Sequence, residues 1–461
     1  MLGLQLPKGF VLNYLSSRHA LAISVGSIIG WGAFVLPGDL FLPAGGFVGS
    51  SLALLFGALL ILLVSSSYAF MSARRLSAQQ SALDWVIASL GRKHAFFYGW
   101  GVALGYVSIV ALNVTALPLL FRFVADDLLH VGYLYTSGGW EVYLLEIMVC
   151  AVVLLALGII NARGVSLGAS SQLGITAVMV TAMGVIFLMS LYQAPSLAWT
   201  AQEGVFAIDR SGFWAIVAIT PWAFVGFETI PQISKYLRSR RANVALLLTA
   251  SVLIGTLLYL LVNYATFALN GFDPRQAEAA AWATGDGVFR HFGMAGMLLL
   301  TLAMGGAILA GINGFLMVSA RMLSSMASAG LLPEAFARQN AGGAAYVGVW
   351  FGVLFGLGSI FLGRHFLLNI VDMASMGITI GFLYVSVVAF KARRAAGQRA
   401  WLGVVSILIS LGFCALLLLP GSPAQLSGAS QLLLLLWWGI GATLYWRRIG
   451  RAAPLCPATE C

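Results

Sequence analysis

Gly26-Ser27-Ile28-Ile29-Gly30-Trp31-Gly32 lies inside an otherwise apolar stretch and puts three glycines into seven residues. Each glycine costs a helix interior about 1 kcal/mol against alanine, so the spacing predicts that a helix unwinds here. In a bilayer an unwound backbone persists only where its N–H and C=O groups face protein, a ligand or a watery cavity. Opening a helix exposes a positive dipole end that suits a carboxylate and a negative end that suits an ammonium group. The backbone of Gly26, Ser27, Ile28, Ile29 and Gly30 is therefore a candidate site for the head group of a small zwitterion, with Ser27 adding a hydroxyl. The competing reading of Gly26 and Gly30 is a G-x-x-x-G stripe for close helix packing.

A second interruption, Thr220-Pro221-Trp222-Ala223-Phe224-Val225-Gly226-Phe227-Glu228, falls in another apolar stretch. Carbonyls near Trp222, Ala223 and Phe224 are candidate acceptors for an amine, and Gly226 belongs to the same stretch. The rings of Trp222, Phe224 and Phe227 are candidates to close over a bound solute. Tryptophan also serves as an interfacial anchor, which is the plainer reading of Trp222. Glu228 places a carboxyl well inside a span, where it must be partnered, protonated or wet. It either titrates as the protein works or fastens the two broken segments together. Two broken spans at matching places in two halves are the sequence mark of a transporter site.

The elements that must position these residues are membrane helices. Of 461 residues 60% are hydrophobic and 9% charged, and the mean hydropathy is +0.95, which describes an integral membrane protein. Apolar runs long enough for a hydrocarbon core recur at about 18–40, 45–71, 95–124, 142–161, 167–192, 211–235, 243–269, 289–327, 345–362, 366–390, 400–420 and 428–446. The fold expected is all-α with about twelve transmembrane helices. Residues 18–192 and 211–391 form two five-helix blocks that each open on a broken helix, and 400–446 carries helices 11 and 12. Five is odd, so the second block enters from the opposite face, the condition for an inverted repeat. Between spans 2 and 3, Leu83, Val86, Ile87 and Leu90 share one face of a short interfacial helix. Residues 271–287 read as a solvated connector rather than a lid.

The net charge of +10 is a topology signal. Counted from an inner N-terminus, twenty lysines and arginines fall on one side and five on the other. Positive-inside bias then places both termini in the cytoplasm and removes the nucleic-acid reading. The four cysteines form no disulfide framework and no metal spacing, and no cofactor is implied. The first span lacks a cleavage site and reads as a helix rather than a signal peptide. Two further acids have local readings: Glu146 near the outer end of span 4 reaches the interface, and Asp372 in span 10 is either a gate or a cap.

Residues 26–38, Gly-Ser-Ile-Ile-Gly-Trp-Gly-Ala-Phe-Val-Leu-Pro-Gly, resemble the helix 1 signature of the amino acid/polyamine/organocation (APC) superfamily, and Phe224 to Pro231 resemble its helix 6. Asn313 through Arg321 to Pro333 is similar to the family's helix 8 and its cytoplasmic exit, and Val371-Asp372 with Ser375-Met376-Gly377 to its helix 10. The resemblance spans about 18–395 and implies a LeuT-like fold that works by alternating access. It implies an amino acid as substrate, with a non-amino-acid amine such as a polyamine or ethanolamine as the alternative. It also implies gating by Trp222, Phe224 and Phe227, most directly by the first two, proton coupling through Glu228 or else substrate exchange, and a pocket near Asn313 and Ser375, positions that otherwise read as helix glue. Where many proton-coupled members carry a lysine in helix 5, this chain has Met179. No serine or threonine pair stands in 307–314 to hold sodium.

An enzyme reading would rest on Gly164-Val165-Ser166-Leu167-Gly168, but that G-x-S-x-G falls in a turn between apolar helices and not on a strand-turn-helix elbow. A nutrient sensor on the same scaffold is the other alternative. The short segments outside the first and last spans favour a carrier. The expectation is an inner-membrane permease whose partners are a small amino acid or amine, protons and the lipid bilayer.

Overall fold

Apolar runs become helices because lipid offers the backbone no partner but itself. The computed structural model describes residues 15–74, 81–193, 210–237, 244–270, 282–362, 366–422 and 424–448. Helices α1 (Ser17–Ile28) and α2 (Gly32–Leu36) form the first broken segment, which continues through a π-helical turn at Pro37–Phe41 into α3 (Leu42–Ala73). Then come α4 (Ala82–Leu90), α5 (Arg92–Thr115), α6 (Leu117–Ala125), a hairpin of β1 (Tyr133–Ser137) and β2 (Trp140–Tyr143), α7 (Leu144–Arg163) and α8 (Val165–Gln193). The second broken segment is α9 (Arg210–Ala218), α10 (Thr220–Ala223) and α11 (Thr229–Ile233). It is followed by α12 (Val244–Leu269), α13 (Ala283–Ser328), α14 (Tyr346–Ile360), α15 (Leu367–Ala395), α16 (Trp401–Leu418) and α17 (Gly428–Arg448).

Among the described residues nine helical runs are long and apolar enough to cross a membrane. Three of the expected spans do not reach that length: α14 has 15 residues, and α1 and α9–α11 are cut short by their breaks. Glycine bends lie inside two of the long runs. Gly46 has φ 56° within α3, and Gly293 has φ 57° within α13, so the stretch before Gly293 is a separate short helix.

The core is built from α5, α13 and α15, with α1 lodged against α8, α12 and α13. In the most apolar stretch of α5 67% of residues are buried, against 28% for α16 and 22% for α17, so the last two helices line the rim. The α17 helix is held to α5 by Trp100 and Trp437, stacked 4.4 Å apart, each donating its indole N–H to the other's carbonyl at 3.1 and 3.2 Å.

Several sequence expectations settle here. Asp372 is a cap: its Oδ2 accepts from Ser430 Oγ at 2.6 Å at the start of α17. Glu146 is not reaching for the interface; it is 3% exposed and makes a two-pronged bond with Arg122 at 2.6 and 2.7 Å. The hairpin that follows α6 had no sequence forecast, and its Trp140 ring lies under the Arg122 guanidinium at 3.7 Å. The helix after span 2 is Ala82–Leu90, capped by Asp84 on Ser81 N–H at 2.8 Å; residues 75–80 lie outside the described residues. Of the stretch expected as a connector, 271–281 lies outside the described residues. The described part is docked: Trp282 Nε1 and Thr284 Oγ1 both donate to Phe34 O, at 2.8 and 2.7 Å, over α2, the second half of the first broken segment.

Candidate functional site

The α1 helix runs as far as Ile28, and Ile29 leaves it with φ −89° and ψ 100°. The helix restarts through tight bonds from Ala33 N–H to Gly30 O (3.2 Å) and Phe34 N–H to Trp31 O (3.0 Å). Three N–H groups, of Gly30, Trp31 and Gly32, are left without an acceptor among the described residues, and the carbonyls of Gly26, Ser27 and Ile28 are left without a donor. The open stretch is thus Ile29–Trp31, later than the expected 26–30. The reason lies at Gly26, where a β-carbon would collide with Thr176, with Gln172 Nε2 at 2.5 Å and with Ala310 at 3.1 Å. Gly26 is a packing glycine inside the helix, as the G-x-x-x-G reading had it. At Gly30 a β-carbon would meet only Asn113 Oδ1, at 3.6 Å, so that glycine opens toward a space and not against a helix.

The second break is Phe224–Glu228, a run of turns around Gly226 at φ 129°. No L side chain adopts that φ readily, and a β-carbon at 226 would stand 2.8 Å from both Ile28 N and Ser27 Cβ. The two breaks are therefore in direct contact. Ser24 Oγ donates to Gly226 O at 3.1 Å, and Thr229 Oγ1 to the same oxygen at 2.6 Å. Gly226 N–H donates to Glu228 Oε2 at 2.9 Å, and Tyr259 OH to Ala223 O at 3.2 Å. The Ala223 carbonyl, expected to hold an amine, already has a donor.

Where the breaks meet there is a cavity of about 20 Å³, lined by Ser27, Gly30, Trp31, Asn113, Trp222 and Tyr259 among others. That is room for about one water, so admitting an amino acid requires its walls to part. Trp222 stands edge-on to Trp31 at 6.3 Å, and Gly32 makes way for its ring: a β-carbon there would lie 2.5 Å from Cη2. Ser27 Oγ, Trp31 Nε1 and Asn113 Oδ1 are buried without hydrogen-bond partners among the described residues. On the opposite side from Trp282, Leu15 N–H donates to Tyr236 O at 2.7 Å, and the buried Arg321 guanidinium lies 3.8 Å over the Tyr236 ring.

The remaining forecast residues sit behind the cavity. Phe224 is buried against Tyr259 (5.9 Å), and Phe227 against Tyr68 (5.6 Å) and Phe382 (5.4 Å). Glu228 is 3% exposed; among the described residues its Oε1 makes no hydrogen bond, with the Tyr68, Tyr98 and Tyr106 hydroxyls within electrostatic reach. Asn313 is tied into an amide network, donating to Gln172 Oε1 (2.8 Å) and Gly168 O (2.9 Å) and accepting from Asn161 at 2.6 Å. On α8, Thr176 donates to Ala22 O of α1 at 3.1 Å and Gln172 stands against Gly26, while Met179 packs on Gly306. Ser375 is buried, and its carbonyl accepts from Thr379 Oγ1 at 2.7 Å.

Four cavity residues escaped sequence reasoning: Ile109, Leu112 and the polar pair Asn113 and Tyr259. A lone amide in the apolar third span was a usable signal, since polar groups in membrane helices need a reason. Tyr259 carried none.

Over residues 15–443 the sequence matches the family model for amino acid permeases. It is 26% identical over 400 residues to the branched-chain amino acid permease BcaP of Lactococcus lactis, covering 83% of each chain. It is 28% identical over 394 residues to human cationic amino acid transporter 4, covering 81% of this chain and 58% of that one. The Arabidopsis thaliana vacuolar cationic amino acid transporter 2 is 27% identical over 341 residues, 71% of this chain and 51% of its own. The chain thus spans little more than half the length of those two transporters. A solved sodium-coupled sialic acid symporter in a substrate-bound outward-open state superposes with a TM-score of 0.52 at 12% identity, over 88% of this chain and 90% of that one. At that identity the likeness speaks for the fold.

Proposed function

The chain belongs to the amino acid permease family, within the APC superfamily, and on that footing we propose that it carries an amino acid across the cell (inner) membrane by alternating access. The carrying observation is the meeting of the two breaks. Bare N–H groups of Gly30, Trp31 and Gly32 and bare carbonyls of Gly26, Ser27 and Ile28 face each other across one interruption, beside a cavity closed by Trp222. That arrangement offers hydrogen bonds to a carboxylate and to an ammonium group within the span of one small molecule. The reading includes twelve crossings in a five-plus-five inverted repeat and cytoplasmic termini, in line with the positive-inside count.

Coupling is assigned to protons or to substrate exchange. The Ala22 and Ala310 carbonyls, on α1 and α13, accept from Thr176 and Gln172 at 3.1 Å each, so side chains of α8 already answer them. Glu228, buried one bond from the second break, is the group proposed to change protonation in the cycle. Phe227, the residue before it and edge-on to Tyr68, moves with it, and Trp222 is the gate over the substrate.

Uptake by the purified protein in proteoliposomes tests the reading. Saturable uptake of a radiolabelled amino acid, competed by the unlabelled compound, supports it. Uptake of putrescine or ethanolamine with none of any amino acid overturns it in favour of an amine permease.

A further inference from the structure

Buried amides in this protein are of two kinds. Asn161 and Asn313 join helices, each bonded across elements. Asn263 and Asn270 leave one oxygen bare, but their Nδ2 groups tie separate elements together, to Ser50 Oγ and to Ala283 O at 2.9 Å each. Asn113 does neither. It is 2% exposed, and among the described residues its Nδ2 donates only to Ile109 O of its own helix, at 2.9 Å, and its Oδ1 accepts nothing. That internal bond fixes which atom is oxygen, because the flipped amide would set two acceptors face to face. Two glycines hold the carboxamide in place. Gly30 faces its oxygen, and a β-carbon at Gly311 of α13 would stand 2.7 Å from its Cγ. The bare oxygen belongs to a residue lining the cavity where the breaks meet.

An unpaired buried acceptor costs about 1–3 kcal/mol unless something donates to it. Here the missing donor is one that arrives with the solute. Apart from the bare peptide groups of the first break, the rest of the wall is made by the largely apolar side chains of Ile28, Trp31, Ile109, Leu112, Trp222 and Val225, with the Trp31 indole N–H and the hydroxyls of Ser27 and Tyr259 as further polar groups. No carboxylate lines it, and Glu228 bonds the second break behind it. A side chain with its own positive charge would be stripped of water there with no counter-charge.

We propose that Asn113 is a specificity-determining residue whose free carboxamide oxygen receives the α-ammonium group, in a site that takes amino acids with neutral, apolar side chains. This deepens the carrier reading and rests on it.

The test is a cycle of binding measurements on the purified full chain. Leucine, leucine lacking its amino group (4-methylpentanoate), and arginine are titrated into the wild type and Asn113→Leu, with Asn113→Ala carrying the comparison should the leucine variant fail to fold. In the wild type, removing the amino group weakens binding about 10- to 100-fold, the range for a hydrogen bond to a charged group. In the variant leucine itself falls by several-fold or more and the gap between the two ligands narrows by the same factor, leaving what the bare carbonyls of the first break contribute. An amino-group penalty of the same size in both proteins overturns the assignment of Asn113, because a purely structural amide would lower both ligands alike. Arginine binding as tightly as leucine overturns the side-chain class. Binding of no amino acid at all is a separate result, and it removes the carrier reading beneath.

Discussion

The two broken segments solve the same problem in opposite ways. In the second, side chains answer the central glycine and the helix end before it: Gly226 by Glu228, Ser24 and Thr229, and Ala223 by Tyr259. In the first, three N–H groups and three carbonyls stay bare beside a cavity. One break is a joint and the other is a hand. A sequence signature that looks symmetric therefore divides into a part that holds the molecule together and a part that holds a solute.

The largest effect is expected at Gly30. A leucine there overfills the space in front of Asn113, so Gly30→Leu abolishes uptake while membrane insertion stays near wild type and the melting temperature falls only by the cost of overpacking, about 1–3 kcal/mol. Retained transport would end the distinction between the two breaks. Gly226→Ala acts the other way: with φ at 129° and a β-carbon 2.8 Å from Ile28 N, it lowers stability first. Backbone strain of about 1–3 kcal/mol appears as a reduced melting temperature, and an unchanged one would show that the joint tolerates a side chain. Glu228→Gln keeps an acceptor for Gly226 N–H and removes the charge. Fold and binding survive with a loss of about 1 kcal/mol, and the dependence of uptake on pH flattens; an unaltered pH profile confines Glu228 to the joint. The smallest change is Tyr259→Phe, which frees Ala223 O and costs about 1 kcal/mol, or about fivefold in affinity at most.

The helical membrane fold and both interruptions were legible in the sequence, because glycine content, apolar length and charge are local properties. The register of the first break was not. Whether Gly26 or Gly30 opens the helix depends on what stands opposite each, and only tertiary packing puts Thr176, Gln172 and Ala310 against Gly26. Asn313 shows the same limit, since pocket and glue share one residue type and only its partners Gln172, Gly168 and Asn161 decide between them. Asp372 became a cap because α17, distant in sequence, brings Ser430 to it. Asn113 was missed because a single amide in a long apolar run declares no partner, and lacking one is what sets it apart.

The bare N–H groups of Gly30, Trp31 and Gly32 are the central claim, and a matched pair of ligands tests them most directly. The best-bound amino acid and its carboxamide differ at the head group those donors meet, a charged carboxylate with two acceptor oxygens against a neutral amide with one. The account predicts that calorimetric titration shows the carboxamide weaker by about 10- to 100-fold, the margin of hydrogen bonds to a charged acceptor. Equal affinity for the two would contradict it.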